Sequence, residues 1–334
     1  MIELLKVAPL CSVQDVGRFG FRHVGVGTSG AMDTLALRVG NILVGNAEGS
    51  ASIEITVFPF VARFTVAMRV AVTGGGCSAE VEGKRYPPWW SFSVKAGETL
   101  TISPPARGAR AYLSVSGGLD VPVVLGSRST DLKMALGGFQ GRCLKRGDVL
   151  SINDRTDAAA AGVADSFGVS PPQCNLGANE GAPQDSHGGQ GQLARVRVVA
   201  GPEYDSFSEE ATMRLWEVNW QVSPTSNRIG YRLEGPEMHL QQPLQMLSHG
   251  IVPGVVQVPP NGKPIVMMSD AQTSGGYPKI GAVIEADLWR LAQLPVGGSV
   301  RFHRVSIEEG ILAEKLQAKY VETIRASQWR GVWI

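Results

Sequence analysis

Residues 270–280 read DAQTSGGYPKI and follow directly on the apolar run PIVMM at 264–268. An acid, an amide, hydroxyls and a lysine placed around two adjacent glycines are the parts of a reactive loop. Asp270 supplies a group that orients a substrate or takes its proton, and Lys279, fixed behind Pro278, supplies a cation for developing negative charge. Gln272 and Thr273 supply hydrogen bonds. Gly275 and Gly276, followed by Tyr277, allow backbone angles and close ligand approach that a side chain forbids. The apolar run reads as a buried strand that carries these groups out of the core onto its end. Gln257, in VPGVVQVPPNGKP just upstream, brings a second amide to the same place. The same residues also fit a glycine loop with a surface lysine and Asp270 capping a turn.

A second polar cluster lies at 12–33, SVQDVGRFGFRHVGVGTSGAMD, where Gln14, Asp15, Arg18, Arg22, Ser29 and Asp33 surround five glycines. Its plainer reading is a turn-rich barrel rim with an Asp15–Arg18 ion pair. Other chemistries fail on spacing. TGGGCSAEVEGK at 73–84 has Ser78 where a phosphate loop needs its first glycine, and Arg85 follows Lys84 where Ser or Thr belongs. LKMA at 132–135 lacks the context of a biotin-carrier lysine. The histidines and the four cysteines show no metal-ligand spacing, so no metal is expected, and no Gly-x-Ser-x-Gly elbow occurs.

The elements that must position these groups are mostly strands. Short β-branched runs bounded by turn residues recur: RVAVTGG, SFSVKAG, TLTIS, RAYLSVSGG, RVRVVAG and VRFHRVS. AGETLTI, RGDVLSI and VGGSVRF repeat a turn glycine before alternating apolar residues, a faint sign of duplication. MDTLALRVGNILVGN places Leu35, Val39, Ile42 and Leu43 on one helical face, with Ser29 or Asp33 to cap it and Gly45-Asn46 to close it. SEEATMRLWEV and ADLWRLAQL read as two further helices, and the tail from 307 as an amphipathic one.

Gly 41 and Pro 20 make roughly 18% of the 334 residues, against an average near 12%, which suits many turns. The composition places a first β domain at 1–154, an Ala/Gly/Pro-rich linker at 155–194, a second β domain at 195–306, and a helix and tail at 307–334. Lys+Arg 31 against Asp+Glu 30 leaves no basic face for nucleic acid. No apolar run approaches the 18 residues of a membrane helix, and dispersed cysteines fit reduced thiols, so the expected location is the cytoplasm.

SVQDVGRFGF, GVGTSGAMD, RAYLSVSGGLDVPVVLGSRST, RIGYRLEGP, VPGVVQVPPNGKPI and SDAQTSGGYPKI together resemble the biotin-dependent carboxyltransferase family, which includes the C subunit of 5-oxoprolinase (KipA) and proteins named allophanate hydrolase subunit 2. The resemblance spans about residues 3–306 without the linker. It implies a mainly β fold of two cyclophilin-like β-barrel domains with a few flanking helices, like carboxyltransferase parts A and B of urea amidolyase. The family's glycine-tyrosine-proline-lysine segment falls on 275–279, and its N-terminal motif on Gln14, Asp15, Arg18, Ser29 and Asp33. Asn227, Asn261 and Ser274 depart from the usual pattern.

The resemblance implies a subunit, inactive alone, of an ATP-dependent 5-oxoprolinase that opens 5-oxoproline to glutamate. Its partners would be a KipI-like and a LamB/YcsF-like subunit, and a partner could be the one that binds ATP. One alternative is carboxyl transfer to urea or a related amide from biotin on a separate carrier. Another is regulation, by binding a KipI-like kinase inhibitor. A homo-oligomer is compatible with all three.

Overall fold

A computed structural model describes residues 1–153, 166–172 and 192–330, with side chains to 327, and separates into two compact units. Met1–Arg18, Asp33–Gln184 and Gln317–Ile334 form the first; Phe19–Met32 and Asp185–Leu316 form the second. The chain therefore lends the glycine-rich segment after Arg18 to the second unit and returns at Asp33, a departure from boundaries drawn on composition. Of the expected linker, residues 166–172 are described and contain a strand; 154–165 and 173–191 lie outside the described residues.

In the first unit β1 (Ile2–Lys6), β2 (Ser12–Gln14), β3 (Ser52–Ile55), β4 (Phe60–Phe64), β5 (Met68–Gly74) and β6 (Ala79–Val81) come first. They are followed by β7 (Lys84–Tyr86), β8 (Trp90–Val94), β9 (Thr99–Ile102), β10 (Ala111–Val115), β11 (Val149–Leu150) and β12 (Ser166–Gly168). They make two six-stranded sheets, β11-β1-β4-β9-β6-β7 and β12-β8-β5-β10-β3-β2. Alternation builds the core between them: in β4, Phe60, Ala62 and Phe64 are fully buried while Arg63 faces out. The three echoed turns are real strand entries, with Gly97, Gly147 and Gly297 each at φ between 81° and 88°, which a side chain rarely adopts.

Helix α1 (Thr34–Leu43) starts where its sequence says it should. The Asp33 carboxylate accepts from the Ala36 N–H at 2.8 Å, and Gly45 follows its end at φ 80°. The Asp33 N–H donates to the Tyr112 hydroxyl at 2.8 Å, and that hydroxyl donates to Glu54 at 2.7 Å, so the helix start is tied to β10 and β3. Burial, then the Glu54 carboxylate, hold the Tyr112 phenol well above its ordinary pKa and keep it a donor.

The second unit contains β13 (Leu193–Ala200), α2 (Glu209–Glu217), β14 (Trp220–Val222), β15 (Gly230–Glu234), β16 (His249–Gly250) and β17 (Val255–Gln257). After these come β18 (Ile265–Met267), β19 (Ser274–Gly275), β20 (Lys279–Val283), α3 (Leu288–Ala292) and β21 (Ser299–Arg304), then α4 (Ile307–Arg330), which belongs to the second unit only up to Leu316. Seven strands close into a barrel, β13-β20-β17-β18-β15-β14-β21, shut by a parallel β13–β21 pair. Val196, Val198, Val300 and Phe302 point into its core, and β16 and β19 form a separate two-stranded ribbon. The mainly β, cyclophilin-like architecture is thus found, with the ladder closed in the second unit. Asp33→Ala is expected to cost about 1 kcal/mol in urea unfolding through the lost cap; an unchanged midpoint would contradict the capping role.

Candidate functional site

Buried strand β18 delivers the chemistry-bearing loop onto its end. Met267 and Met268 are 2% exposed each, and the chain turns outward at Ser269. Asp270 is fixed at once: its N–H donates to the Arg228 carbonyl at 2.9 Å, and its two carboxylate oxygens accept from Arg228 Nε at 2.9 Å and Nη2 at 3.0 Å. Both side chains are nearly buried, at 12% and 11% exposure. Such a forked, charge-assisted pair fixes orientation as well as contributing energy. Each carboxylate oxygen accepts one bond from the guanidinium, so Asp270 holds Arg228 in place.

Arg228 Nη2 also donates to the Gly30 carbonyl, and Ser269 Oγ donates to the Ala31 carbonyl at 3.2 Å. From the same segment, Arg22 donates to the carbonyls of Ile251 and Gln272 and to Thr28 Oγ1. Met32 joins the barrel core. Residues 19–32 are in this way stitched onto the loop by two arginines.

The loop then forms a ribbon. His249 pairs with Gly275 and Gly250 with Ser274, while the Ile251 N–H donates to the Thr273 carbonyl at 3.1 Å. Gly275 packs closely here: a Cβ on it would lie 2.4 Å from Ile251 Cδ1 and 3.3 Å from Gln257 Nε2, so a larger residue would make the Ile251 side chain shift. Gln257, 2% exposed, lies beneath the glycine pair and donates from Nε2 to the Tyr277 carbonyl at 3.4 Å. Gln272, Thr273, Gly275 and Gly276 are partly exposed, and Tyr277 is exposed at 44%.

Lys279 returns the chain to the barrel opposite Gln257, across a bulge in the β17–β20 ladder. It is 7% exposed. Its backbone N–H donates to Glu203 Oε2 at 2.9 Å, and its Nζ stands 3.4 Å from the same oxygen. That is ion-pair distance, but the line is wrong for a hydrogen bond, and Nζ has no other acceptor among the described residues. The site therefore holds a buried ammonium, balanced in charge by Glu203, with its N–H groups unspent.

The N-terminal residues divide between the units. In the first, the Asp15 carboxylate accepts from Gly17 N–H, Arg128 N–H and the hydroxyls of Ser127 and Ser129. Arg18, wholly buried, donates to the carbonyls of Val124 and Ser129, and Gln14 to that of Thr130. These three pin the loop 124–130; Asp15 and Arg18 make no ion pair with one another among the described residues. Asp33 caps α1. Ser29, in the second unit, adopts φ 52° and buries its Oγ without a hydrogen-bond partner among the described residues.

Sequence reasoning missed Arg228 and Glu203 as members of the site; it placed Arg22 in the N-terminal cluster but not against this loop. Glu203 sits in the turn GPEY after β13, and only the barrel's closure brings it to Lys279. Among the described residues no three His, Cys, Asp or Glu side chains gather as a metal site, and no helix is long and apolar enough to cross a membrane. The thiols of Cys11 and Cys77 are pushed up by burial, Cys77 to about 12, which removes both as nucleophiles.

Comparison with known proteins decides the family. The model for "Carboxyltransferase domain, subdomain A and B" matches residues 24–304. The chain belongs to this carboxyltransferase family. It is similar to the C subunit of 5-oxoprolinase from Escherichia coli, 41% identical over 331 residues, covering 99% of this chain and 98% of that one. The corresponding 5-oxoprolinase protein of Haemophilus influenzae is 38% identical over 97% of this chain and 98% of its own length. Urea amidolyase of Saccharomyces cerevisiae is 30% identical over 98% of this chain, which spans 18% of that larger protein. The crystal structure of Kluyveromyces lactis urea amidolyase superposes with a TM-score of 0.83 at 30% identity, over 97% of this chain and 20% of that one.

Arg228→Met would strand the nearly buried Asp270 carboxylate and is expected to destabilise the protein by about 3–5 kcal/mol in urea unfolding. A loss under about 1 kcal/mol would show that the pair does not organise the loop.

Proposed function

We propose that the protein is the C subunit of an ATP-dependent 5-oxoprolinase, acting in the cytoplasm with a KipI-like and a LamB/YcsF-like subunit and inactive alone. The observation that carries this is the end-to-end similarity to the 5-oxoprolinase protein of Escherichia coli: 99% of this chain aligns with 98% of that one, so the two match along nearly their whole lengths. In urea amidolyase the matching part is a fifth or less of a longer polypeptide.

A lactam is a poor electrophile, and opening it places negative charge on its oxygen. Lys279 is suited to face that charge, or a phosphate formed on the oxygen, because its ammonium is desolvated and has N–H groups to spare. Gln257, Gln272 and Thr273 would hydrogen-bond the amide, and the Gly275–Gly276 backbone lets it approach. Asp270, through Arg228, holds the loop in that form.

ATP belongs on a partner in this reading. Its triphosphate would need a cradle of free N–H groups, and the glycine turn at 74–76 has none to offer: Gly75 N–H donates to the Arg110 carbonyl and Gly76 N–H to that of Arg107. The LKMA turn is likewise unlike a carrier site, since the N–H groups of Lys133 and Met134 are folded back onto Asp131. Biotin, in the second reading, would arrive on another chain. That reading, carboxyl transfer to an amide, is favoured by the carboxyltransferase family itself and by the urea amidolyase match.

The test is ATP-dependent glutamate release from 5-oxoproline in a mixture of this protein with its KipI-like and LamB/YcsF-like neighbours, each omitted in turn. Activity is expected only in the complete mixture. No release from a folded, associated mixture would overturn the oxoprolinase reading in favour of carboxyl transfer.

A further inference from the structure

The wall that closes the second barrel carries an unbalanced charge. Strands β13 and β21 run parallel with Arg195 opposite Arg301 and Arg197 opposite His303. Residues two apart on a strand share a face, so these four side chains stand on the outside of the barrel, opposite the inward Val196, Val198, Val300 and Phe302. They form a small grid, spaced by about 4.8 Å across the ladder and about 6.6 Å along each strand. Like charges set directly across a ladder are destabilising.

The acid in reach is already spent. Asp287, 1% exposed, accepts from the Arg197 N–H, Nε and Nη2 at 2.8, 2.9 and 2.7 Å and from Arg290 Nε at 3.1 Å. Glu309 acts on Arg197 only at longer range. Arg301 has a long contact to Asn219 Oδ1, at 3.4 Å. Arg195 Nε and His303 Nε2 are shielded from solvent, and each lacks a hydrogen-bond partner among the described residues. Shielding, then the charges of Arg195 and Arg301, pull the His303 pKa below its ordinary value, with Asp287 opposing.

We propose that this outer face of β13 and β21 is a binding site for a small phosphoryl oxyanion, held by Arg195, Arg301 and His303. A dianion offsets two guanidinium charges at once, which a monocarboxylate does not. The grid is too small for a polyanion, and a net charge of +1 gives no surrounding basic field to recruit one. None of its residues belongs to the 257–279 segment, so the site stands or falls separately from the reaction proposed above.

Histidine-labelled protein, with the His303 signal assigned from a His303→Asn variant, provides the readout. Millimolar phosphate at constant ionic strength is expected to raise the His303 pKa saturably by about one unit, while matched chloride leaves it depressed. Arg195→Met is expected to raise that pKa without phosphate and to abolish the phosphate response. Identical titrations in phosphate and chloride would overturn the site. An equal response to acetate would overturn its phosphoryl selectivity.

Discussion

The second unit depends on one guanidinium. Arg228 holds both oxygens of Asp270 and the carbonyl of Gly30, joining the loop after β18 to the borrowed segment 19–32. The fork acts together with the Arg22 contacts and the β16–β19 ribbon to order a loop whose glycines lose more freedom on ordering than any other residue. With the fork, the turn out of the core is fixed at its first residue, and the ribbon of β16 and β19 has a defined starting point. The arrangement concentrates the cost of ordering in one nearly buried, charge-assisted contact and leaves Gln272 through Tyr277 partly open to a ligand.

Much of the scaffold was legible because its determinants are local. β-Branched runs bounded by turns marked β5, β13 and β21, the repeated turn glycines marked three strand entries, and Gly45 with one of two cap candidates marked the ends of α1. The position of 270–280 beyond the end of a buried strand was legible as well, since an apolar run leads directly into a polar, glycine-bearing one. The partners that define each of its charges were not legible. Arg228 is 42 residues from Asp270 and Glu203 is 76 from Lys279, and no sequence spacing announces contacts made by barrel closure. The same limit explains the N-terminal motif, where an Asp15–Arg18 pair looked natural but both side chains turn instead to a loop more than a hundred residues away.

The site shows two ways of placing a charge. Asp270 is paired, each oxygen accepting a bond from the arginine it anchors. Lys279 is neutralised by Glu203 but keeps unsatisfied N–H groups, the state in which a cation responds most strongly to new negative charge in a desolvated place. A buried lysine is costly unless a charge meets it; Glu203 does so here, and in the proposed reaction the oxygen of an opening lactam would be a second partner.

The most direct measurement of that claim is turnover of 5-oxoproline by the assembled enzyme carrying Lys279→Met together with Glu203→Gln, compared with Glu203→Gln alone, so that no carboxylate is left stranded in either. A loss of about 100-fold or more in kcat on removing the lysine is expected, with assembly intact. Equal turnover in the two variants would contradict the proposed role, and would leave Lys279 a structural residue of the barrel.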